Sequence, residues 1–305
     1  MKIQTTNTQN TTFHVLKTLH EGFVTGSCLI PSGEMHVEYA RRLLPTLLAS
    51  ALGLGTKHKS EEALNEAMES RGISINITSG AYYTVVSFVC LKQDIKLMVD
   101  LIHEQLLEPA FNEQLFESLK GRIHTSYESL KDSTSFRAAE SFSGLVYPAE
   151  HISNVGSIDE KIALLQAVKV ADLKKLHSEY DPLLHIKWIV VGDIDEEAFI
   201  KYCDQYKAKT NQVQEVNRRV LQANLPALAQ HHVEIKEKQS VDLIMGHSIP
   251  IERNHPDYLP LKIAIDALGG SFSARLMRTV RDEDGLTYNV GSYLETYNLR
   301  NWIRH

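Results

Sequence analysis

The chain has 305 residues, of which 43% are hydrophobic and 23% are charged, and its formal net charge is -6. This length and hydrophobic content can fill the cores of two ordinary domains and exclude a disordered or collagen-like chain. The acidic balance argues against nucleic acid and membrane surfaces as partners, because both attract a basic protein face. The cysteines Cys28, Cys90 and Cys203 have no CxxC spacing and are interpreted as buried free thiols.

Residues 1–20 are polar and rich in threonine, with no long apolar run. They indicate neither a signal peptide nor a membrane span, and we therefore expect a cytoplasmic protein. Residues 22–30 are rich in valine, threonine and other strand-forming side chains. They end at the turn signal Pro31-Ser32-Gly33, which predicts a strand.

Apolar residues recur at helical spacing over residues 37–52, which predicts a helix buried along one face, with Pro45 placed to bend it. Ser60, followed by two glutamates, predicts the N-cap of a second helix that runs to Ser70. Four polar residues around the start of the first helix are interpreted as capping groups rather than metal ligands: Ser32, Glu34, His36 and Glu38.

Two alternating segments, 73–78 and 82–91, are separated by Ser79-Gly80-Ala81 and predict a β-hairpin. Apolar residues at helical spacing then predict a run of five helices. These helices are expected at 95–107, 112–130, 135–147, 159–167 and 170–180, and a buried strand follows at 186–191.

Residues 210–230 are rich in glutamine and asparagine and contain Pro226, which is typical of an interdomain linker. We therefore predict a first domain at 1–212, a linker at 213–231 and a partial second domain at 232–305.

The second domain is predicted to repeat the first. Its elements in order are a strand at 241–249, a helix at 258–268, the pair Gly269-Gly270 and a helix at 274–281. In this register Gly285 matches Gly72, an offset of 213 residues, and His305 matches Lys92. The second domain is therefore expected to be truncated and to lack most of its helical layer. The predicted fold is α+β, with two repeated domains that each have a mainly antiparallel sheet covered by helices.

Several short motifs in this order resemble the insulinase and pitrilysin family of zinc peptidases, in particular its members similar to mitochondrial processing peptidase. The motifs are Gly55-Thr56 with Gly72, Leu107-Glu-Pro-Ala-Phe111, Leu145-Val-Tyr-Pro148 with His151, Val190-Val-Gly-Asp-Ile-Asp195, and Leu268-Gly-Gly with Arg281, Gly285, Leu286 and Tyr288. The resemblance covers nearly the whole chain and implies the two-domain fold of that family.

Active members of that family carry HxxEH on the first helix, where two histidines hold zinc and the glutamate acts as general base. Counted back from Gly55-Thr56, the corresponding residues here are Thr46, Ala49 and Ser50. The third zinc ligand of the family falls near Thr125 and Ser126, with Glu128 close by. The resemblance therefore implies a chain that holds neither metal nor cofactor, and a partner that bears HxxEH and the zinc.

In that family a second half of the enzyme contributes an arginine and a tyrosine to the active chamber, and this sequence matches them at Arg281 and Tyr288. Such a pair can supply charge and a phenolic donor to one oxyanion. The alternative is structural: Arg281 pairs with a neighbouring carboxylate among Asp282, Glu283 and Asp284, while Tyr288 packs against a sheet.

The resemblance implies the non-catalytic half of a zinc metallopeptidase, inactive on its own, which binds a peptide substrate together with its HxxEH-bearing partner. A proteolytically inactive scaffold or peptide-binding protein of the same fold is the alternative. Association with further copies of the chain is open in either case.

Overall fold

The computed structural model describes residues 3–18, 22–208, 229–251 and 253–295. The chain forms two compact units, Met1–Met245 and Gly246–His305. Most of the predicted linker, 213–231, lies outside the described residues.

The first unit is built on a six-stranded mixed sheet with the order β1-β2-β6-β3-β5-β4. Its strands are β1 (Gln4–Asn7), β2 (Thr11–Lys17), β3 (Phe23–Ile30), β4 (Ser74–Ser79), β5 (Thr84–Leu91) and β6 (Ile186–Gly192). Strands β2 and β6 are parallel, with Phe13 opposite Trp188, and every other neighbouring pair is antiparallel.

The described part of this unit has eight helices, and the apolar periodicity of the sequence predicts most of them. They are α1 (Leu44–Leu52), α2 (Glu61–Glu69), α3 (Ile95–Leu107), α4 (Glu113–Leu130), α5 (Thr134–Val146), α6 (Ile158–Ala167), α7 (Val170–Glu179) and α8 (Glu196–Cys203). Helix α1 packs on β4 and α7, α3 packs on β5 and α8, and α4 packs on α6.

The core lies between the sheet and the helices. Along β5 the side chains of Val86, Phe88 and Cys90 are buried, whereas the alternate residues Ser87 and Val89 are exposed. This period of two places one face of the strand in the core and the other in solvent. None of the described helices is both long and apolar enough to cross a membrane.

The predicted strand at 22–30, the hairpin, the five helices and the strand at 186–191 are confirmed. Ser60 also caps α2 as expected, since its Oγ accepts a hydrogen bond from the Ala63 N–H at 3.2 Å. Three elements were not predicted, namely β1, β2 and α8.

The helix predicted at 37–52 begins later, at Leu44, after the short 3-10 turns Glu34–His36 and Tyr39–Arg41. Pro45 lies in the first turn of α1 and not in its interior, where a proline would bend the helix. The first turn tolerates proline because N–H groups there have no intrahelical partner.

The capping interpretation of Ser32 and Glu38 is wrong. The Ser32 hydroxyl donates to Thr84 Oγ1 at 3.0 Å, and Glu38 makes no side-chain capping bond to the turn that follows it. A hydroxyl on the neighbouring strand β5 is the acceptor that Ser32 reaches, so its role is to tie the end of β3 to the start of β5.

The second unit contains α9 (Tyr258–Gly269) and a π-helical segment, Met277–Glu283. Their ranges nearly match the helices predicted at 258–268 and 274–281. Gly72 and Gly285, which match in the predicted repeat, both follow a helix and both have φ of 63°. This left-handed conformation favours glycine and ends both helices in the same way.

The strand predicted at 241–249 is wrong, because these residues make no strand pairing with any described residue. Val241 and Met245 are 86% and 84% exposed. A strand forms only against a neighbour that accepts and donates its backbone hydrogen bonds, and no described residue does so for 241–249.

Candidate functional site

The α1 positions that correspond to the zinc ligands carry no ligand for a metal. Thr46 is exposed and Ala49 is buried, and the Ser50 hydroxyl donates to the Thr46 carbonyl oxygen at 3.0 Å. Zinc in proteins is held by imidazole, thiolate or carboxylate groups, which the hydroxyls of Thr46 and Ser50 do not replace, and the methyl group of Ala49 cannot act as a general base. These residues do not fit zinc.

The expected third position on α4 is equally poor in ligands. The Thr125 hydroxyl donates to the Gly121 carbonyl oxygen at 3.0 Å, and Glu128 is paired with Lys131 at 3.1 Å. In the described ranges no group of three histidine, cysteine or acidic side chains is placed to hold a metal ion.

The segment that carries Arg281 and Tyr288 turns back on α9 through the pair Gly269-Gly270. A side chain at Gly269 would bring its Cβ within 2.4 Å of the Ser292 nitrogen. The Ser292 N–H donates to the Gly269 carbonyl oxygen at 3.2 Å, and its hydroxyl donates to the Ile265 carbonyl oxygen at 2.8 Å. The close approach requires glycine and fixes where the chain runs after Tyr288.

The structure brings Arg281 and Tyr288 together. The Arg281 guanidinium carbon lies 5.3 Å from the centre of the Tyr288 ring and 5.3 Å from that of Phe272. This is cation–π geometry on two rings, and both rings are largely exposed, Tyr288 at 89% and Phe272 at 78%.

Neither part of the structural alternative for this pair is observed. Glu283 pairs with Arg278 at 3.6 Å, and no carboxylate among the described residues forms an ion pair with Arg281. Tyr288 projects into solvent and does not pack on a sheet. A guanidinium with unused donors beside an exposed phenol can bind an oxygen atom that carries negative charge.

Sequence reasoning missed one polar cluster, which surrounds Arg42 just before α1. Arg42 is only 7% exposed, and its Nη2 lies 3.0 Å from Glu160 Oε2 on α6. Tyr39 stacks on the guanidinium, with its ring centre 4.0 Å away, and donates its hydroxyl to Glu160 Oε1 at 3.1 Å. The sequence shows only two adjacent arginines, and burial of the second depends on a distant helix.

Comparison with known families gives two matches on successive parts of the chain. Residues 46–145 match the insulinase (peptidase family M16) model, and residues 167–303 match the model described as the peptidase M16 inactive domain.

Curated relatives and a solved structure agree with these matches. The chain is 20% identical to the non-peptidase homolog YmxG of Helicobacter pylori, over 86% of this chain and 62% of that protein. It is 22% identical to the uncharacterized zinc protease YmxG of Bacillus subtilis, over 80% of this chain and 58% of that protein. The chain thus spans about three-fifths of the length of both relatives.

The peptidase M16 inactive domain from Pseudomonas fluorescens has the same fold, with a TM-score of 0.78, 20% identity, and coverage of 97% of this chain and 71% of that one. Since both family models describe insulinase-type domains and between them take in the α1 region and the Arg281 segment, the chain belongs to the insulinase family, peptidase family M16.

Proposed function

We propose that the chain is the non-catalytic half of a two-part zinc metallopeptidase. In this proposal a partner that bears HxxEH supplies the zinc and the general base, and this chain supplies Arg281 and Tyr288. The observation that carries the proposal is the placement of the Arg281 guanidinium 5.3 Å from the ring of a tyrosine that is 89% exposed.

The chemistry of this pair suits a peptide carbonyl that gains negative charge during hydrolysis. Arginine has five N–H donors, and the tyrosine hydroxyl adds a sixth. Donors held at the developing oxyanion lower the barrier because they stabilise the transition state more than the substrate. Contact with Phe272 and Tyr288 limits the conformations of the long arginine side chain, so less entropy is lost when it binds.

The degenerate α1 explains why a partner is required. Thr46, Ala49 and Ser50 offer neither a metal ligand nor a general base. An isolated chain would therefore bind a peptide but not cleave it.

A second candidate function is an inactive scaffold or peptide-binding protein. One curated relative is named a non-peptidase homolog. Helix α1, which carries no metal-ligating side chain, is equally consistent with a complete loss of catalysis. In that case the exposed pair would bind a peptide without taking part in hydrolysis.

The two functions are distinguished by reconstitution. The chain is purified alone and together with an HxxEH-bearing protein of the same family from the same organism, and hydrolysis of a quenched fluorescent peptide library is measured. The peptidase function predicts that neither protein cleaves alone and that the mixture does. Cleavage by the partner at a rate that the chain leaves unchanged would contradict it and favour the scaffold.

A further inference from the structure

Phe272 is an aromatic residue that lies outside the core and beside a cation. It follows the pair Gly269-Gly270 and is 78% exposed, so burial of its ring contributes little to folding. Its ring centre lies 5.3 Å from the guanidinium carbon of Arg281. This distance falls within the range of a cation–π contact, which makes Arg281 the residue through which Phe272 can act.

Arg281 is followed by three carboxylates and forms an ion pair with none of them in the described part of the chain. Asp282 is the adjacent residue, and adjacent side chains on a helical segment do not face each other. Glu283 already lies 3.6 Å from Arg278. Asp284 is exposed and three residues away, a spacing at which two helical side chains can meet. Asp284 is therefore the carboxylate that competes with the rings for Arg281.

The rings hold Arg281 against this competitor by a small margin. An exposed cation–π contact favours the contacting state by about two- to fivefold. An arginine–carboxylate pair at this spacing favours its own state by about twofold. Two ring contacts therefore keep Arg281 beside Tyr288, whereas the Tyr288 ring alone would leave the two states closely balanced. Phe272 supplies the second contact.

We propose that Phe272 is a positioning residue for Arg281, on the basis of the proposed function, in which Arg281 and Tyr288 bind the oxyanion. The Phe272 ring holds the guanidinium beside the Tyr288 ring and away from Asp284. Both donors are then presented together to one oxygen atom, and no rearrangement is needed when charge develops there. Phe272 does not touch the reacting atoms and acts on the reaction only through Arg281.

The first test needs neither a partner nor catalysis. The Arg281 Nε–Hε signal of the ¹⁵N-labelled full chain is identified by its loss in Arg281→Ala, and its order parameter is measured by relaxation. We expect Phe272→Leu to lower this order parameter, because one ring contact is lost, and Phe272→Tyr to retain the parental value. A parental order parameter in folded Phe272→Leu would overturn the proposal.

The second test is peptide turnover in the reconstituted pair. Phe272→Leu should lower kcat by about two- to fivefold and leave KM nearly unchanged, because the contact supports a group that binds the transition state. Phe272→Tyr should keep the parental kcat, since it keeps a ring beside Arg281. A parental kcat in Phe272→Leu, or a loss in Phe272→Tyr as large as that in Phe272→Leu, would contradict the positioning role.

Tyr293→Leu is the matched control for the loss of an exposed ring. Tyr293 is 81% exposed, and among the described residues the rings in cation–π contact with Arg281 are those of Phe272 and Tyr288. Tyr293→Leu should therefore retain the parental kcat. If it lowers kcat as much as Phe272→Leu does, loss of aromatic surface explains both effects and the proposal is wrong.

A double variant separates positioning of Arg281 from direct contact between the Phe272 ring and the peptide. In an Arg281→Ala background, Phe272→Leu should have no further effect on kcat, because its effect passes through Arg281. A further loss of about twofold or more in that background would show a direct contact and contradict the proposal. Asp284→Asn added to Phe272→Leu should restore kcat, since it removes the competing carboxylate, and no restoration would exclude Asp284 as the competitor and overturn this part of the proposal.

The same variants distinguish failure of this proposal from failure of the proposed function. If Arg281→Ala turns over peptide at the parental rate, Arg281 has no role in hydrolysis, and both are wrong whatever the Nε–Hε signal shows. If Arg281→Ala is slow while Phe272→Leu is parental in kcat and in the Nε–Hε signal, the proposed function stands and the positioning role of Phe272 is wrong.

Discussion

The ring of Tyr206 lies flat on the ring of His103, with the two centres 4.0 Å apart and the planes 10° apart. His103 is 1% exposed on α3, and its Nδ1 lies 2.7 Å from the Val99 carbonyl oxygen. The Tyr206 hydroxyl donates to Asp100 at 2.9 Å. This stack joins α3 to the segment after α8 and places a titratable ring in the core.

Burial lowers the pKa of His103 from 6.5 to about 4, even though the Val99 carbonyl and the Asp100 charge favour its protonation. Between pH 6.5 and about 4, His103 therefore binds a proton in the unfolded chain but stays mostly neutral in the folded chain. Burial of the neutral ring therefore leaves folding stability unaffected above about pH 6.5, and the free energy of unfolding decreases as the pH falls from 6.5 toward 4. Between pH 7 and pH 5 we expect His103 to lower the free energy of unfolding by about 2 kcal/mol.

Urea denaturation at the two pH values measures this change. His103→Gln removes the titration, so the free energy of unfolding of this variant should fall by about 2 kcal/mol less than that of the parent. Replacement of the exposed His247 by glutamine is the matched control and should leave the difference unchanged. An equal pH dependence in the parent and His103→Gln would show that this ring is not the group responsible.

Arg281→Ala and Tyr288→Phe should each reduce peptide turnover in the reconstituted pair, by about ten- to a thousandfold if both groups bind the oxyanion. Tyr288→Phe keeps the ring against Arg281 and removes only the hydroxyl, so a loss in this variant reports the phenolic donor. The measurement is kcat and KM for one cleaved peptide.

Arg278→Ala is the control for these variants, because Arg278 lies on the same π-helical segment but pairs with Glu283. It should turn over substrate at nearly the parental rate, since an exposed ion pair contributes little. Parental rates in both Arg281→Ala and Tyr288→Phe would remove the pair from the chemistry.

Tag-free purified chain should contain far less than one zinc per molecule, because the α1 positions offer only hydroxyl and methyl groups. Thr46→His with Ser50→His places two imidazoles four residues apart, on the exposed side of α1 at Thr46, and should create zinc binding in roughly the micromolar range. Thr46→His alone is the control and should bind much more weakly. Stoichiometric zinc in the parent chain, measured by metal analysis, would contradict the expectation.

Local signals in the sequence were enough for most of the first unit. Ser60 and the periodic segments 95–107 and 112–130 predict helices that form nearly where expected, because capping and apolar spacing act within a few residues. Strand β2 pairs with the nearby β1 and with β6 at the far end of the unit. It was missed because residues 1–20 are mostly polar, and no local pattern marks its parallel pairing with β6. Arg42 was missed for the same reason, since α6 buries it.

The predicted second domain, 232–305, shows the opposite case, because its described residues form a helix from local signals but supply little tertiary support. The helix predicted at 258–268 forms, but none of its side chains is buried. The strand predicted at 241–249 has the required composition but no described neighbour to pair with. Here local helix propensity is enough to form α9, but strand propensity alone cannot form a sheet without a neighbouring strand.

The exposed state of α9 predicts that its backbone amides exchange with solvent much faster than those of α3. Both helices are apolar and similar in length, but eight residues of α3 are buried and no residue of α9 is, with Leu259 and Ile263 65% and 68% exposed. Because most helix stability in proteins comes from packing, opening of α9 should cost on the order of 1 kcal/mol, whereas opening of α3 should cost several kcal/mol.

Hydrogen exchange followed by mass spectrometry on dilute protein measures the protection of both helices at once. Helix α2, with Leu64 as its one buried residue, should lie between them. Protection of α9 that rises with protein concentration would show that a neighbouring copy covers its apolar side chains, and protection equal to that of α3 at every concentration would contradict the prediction.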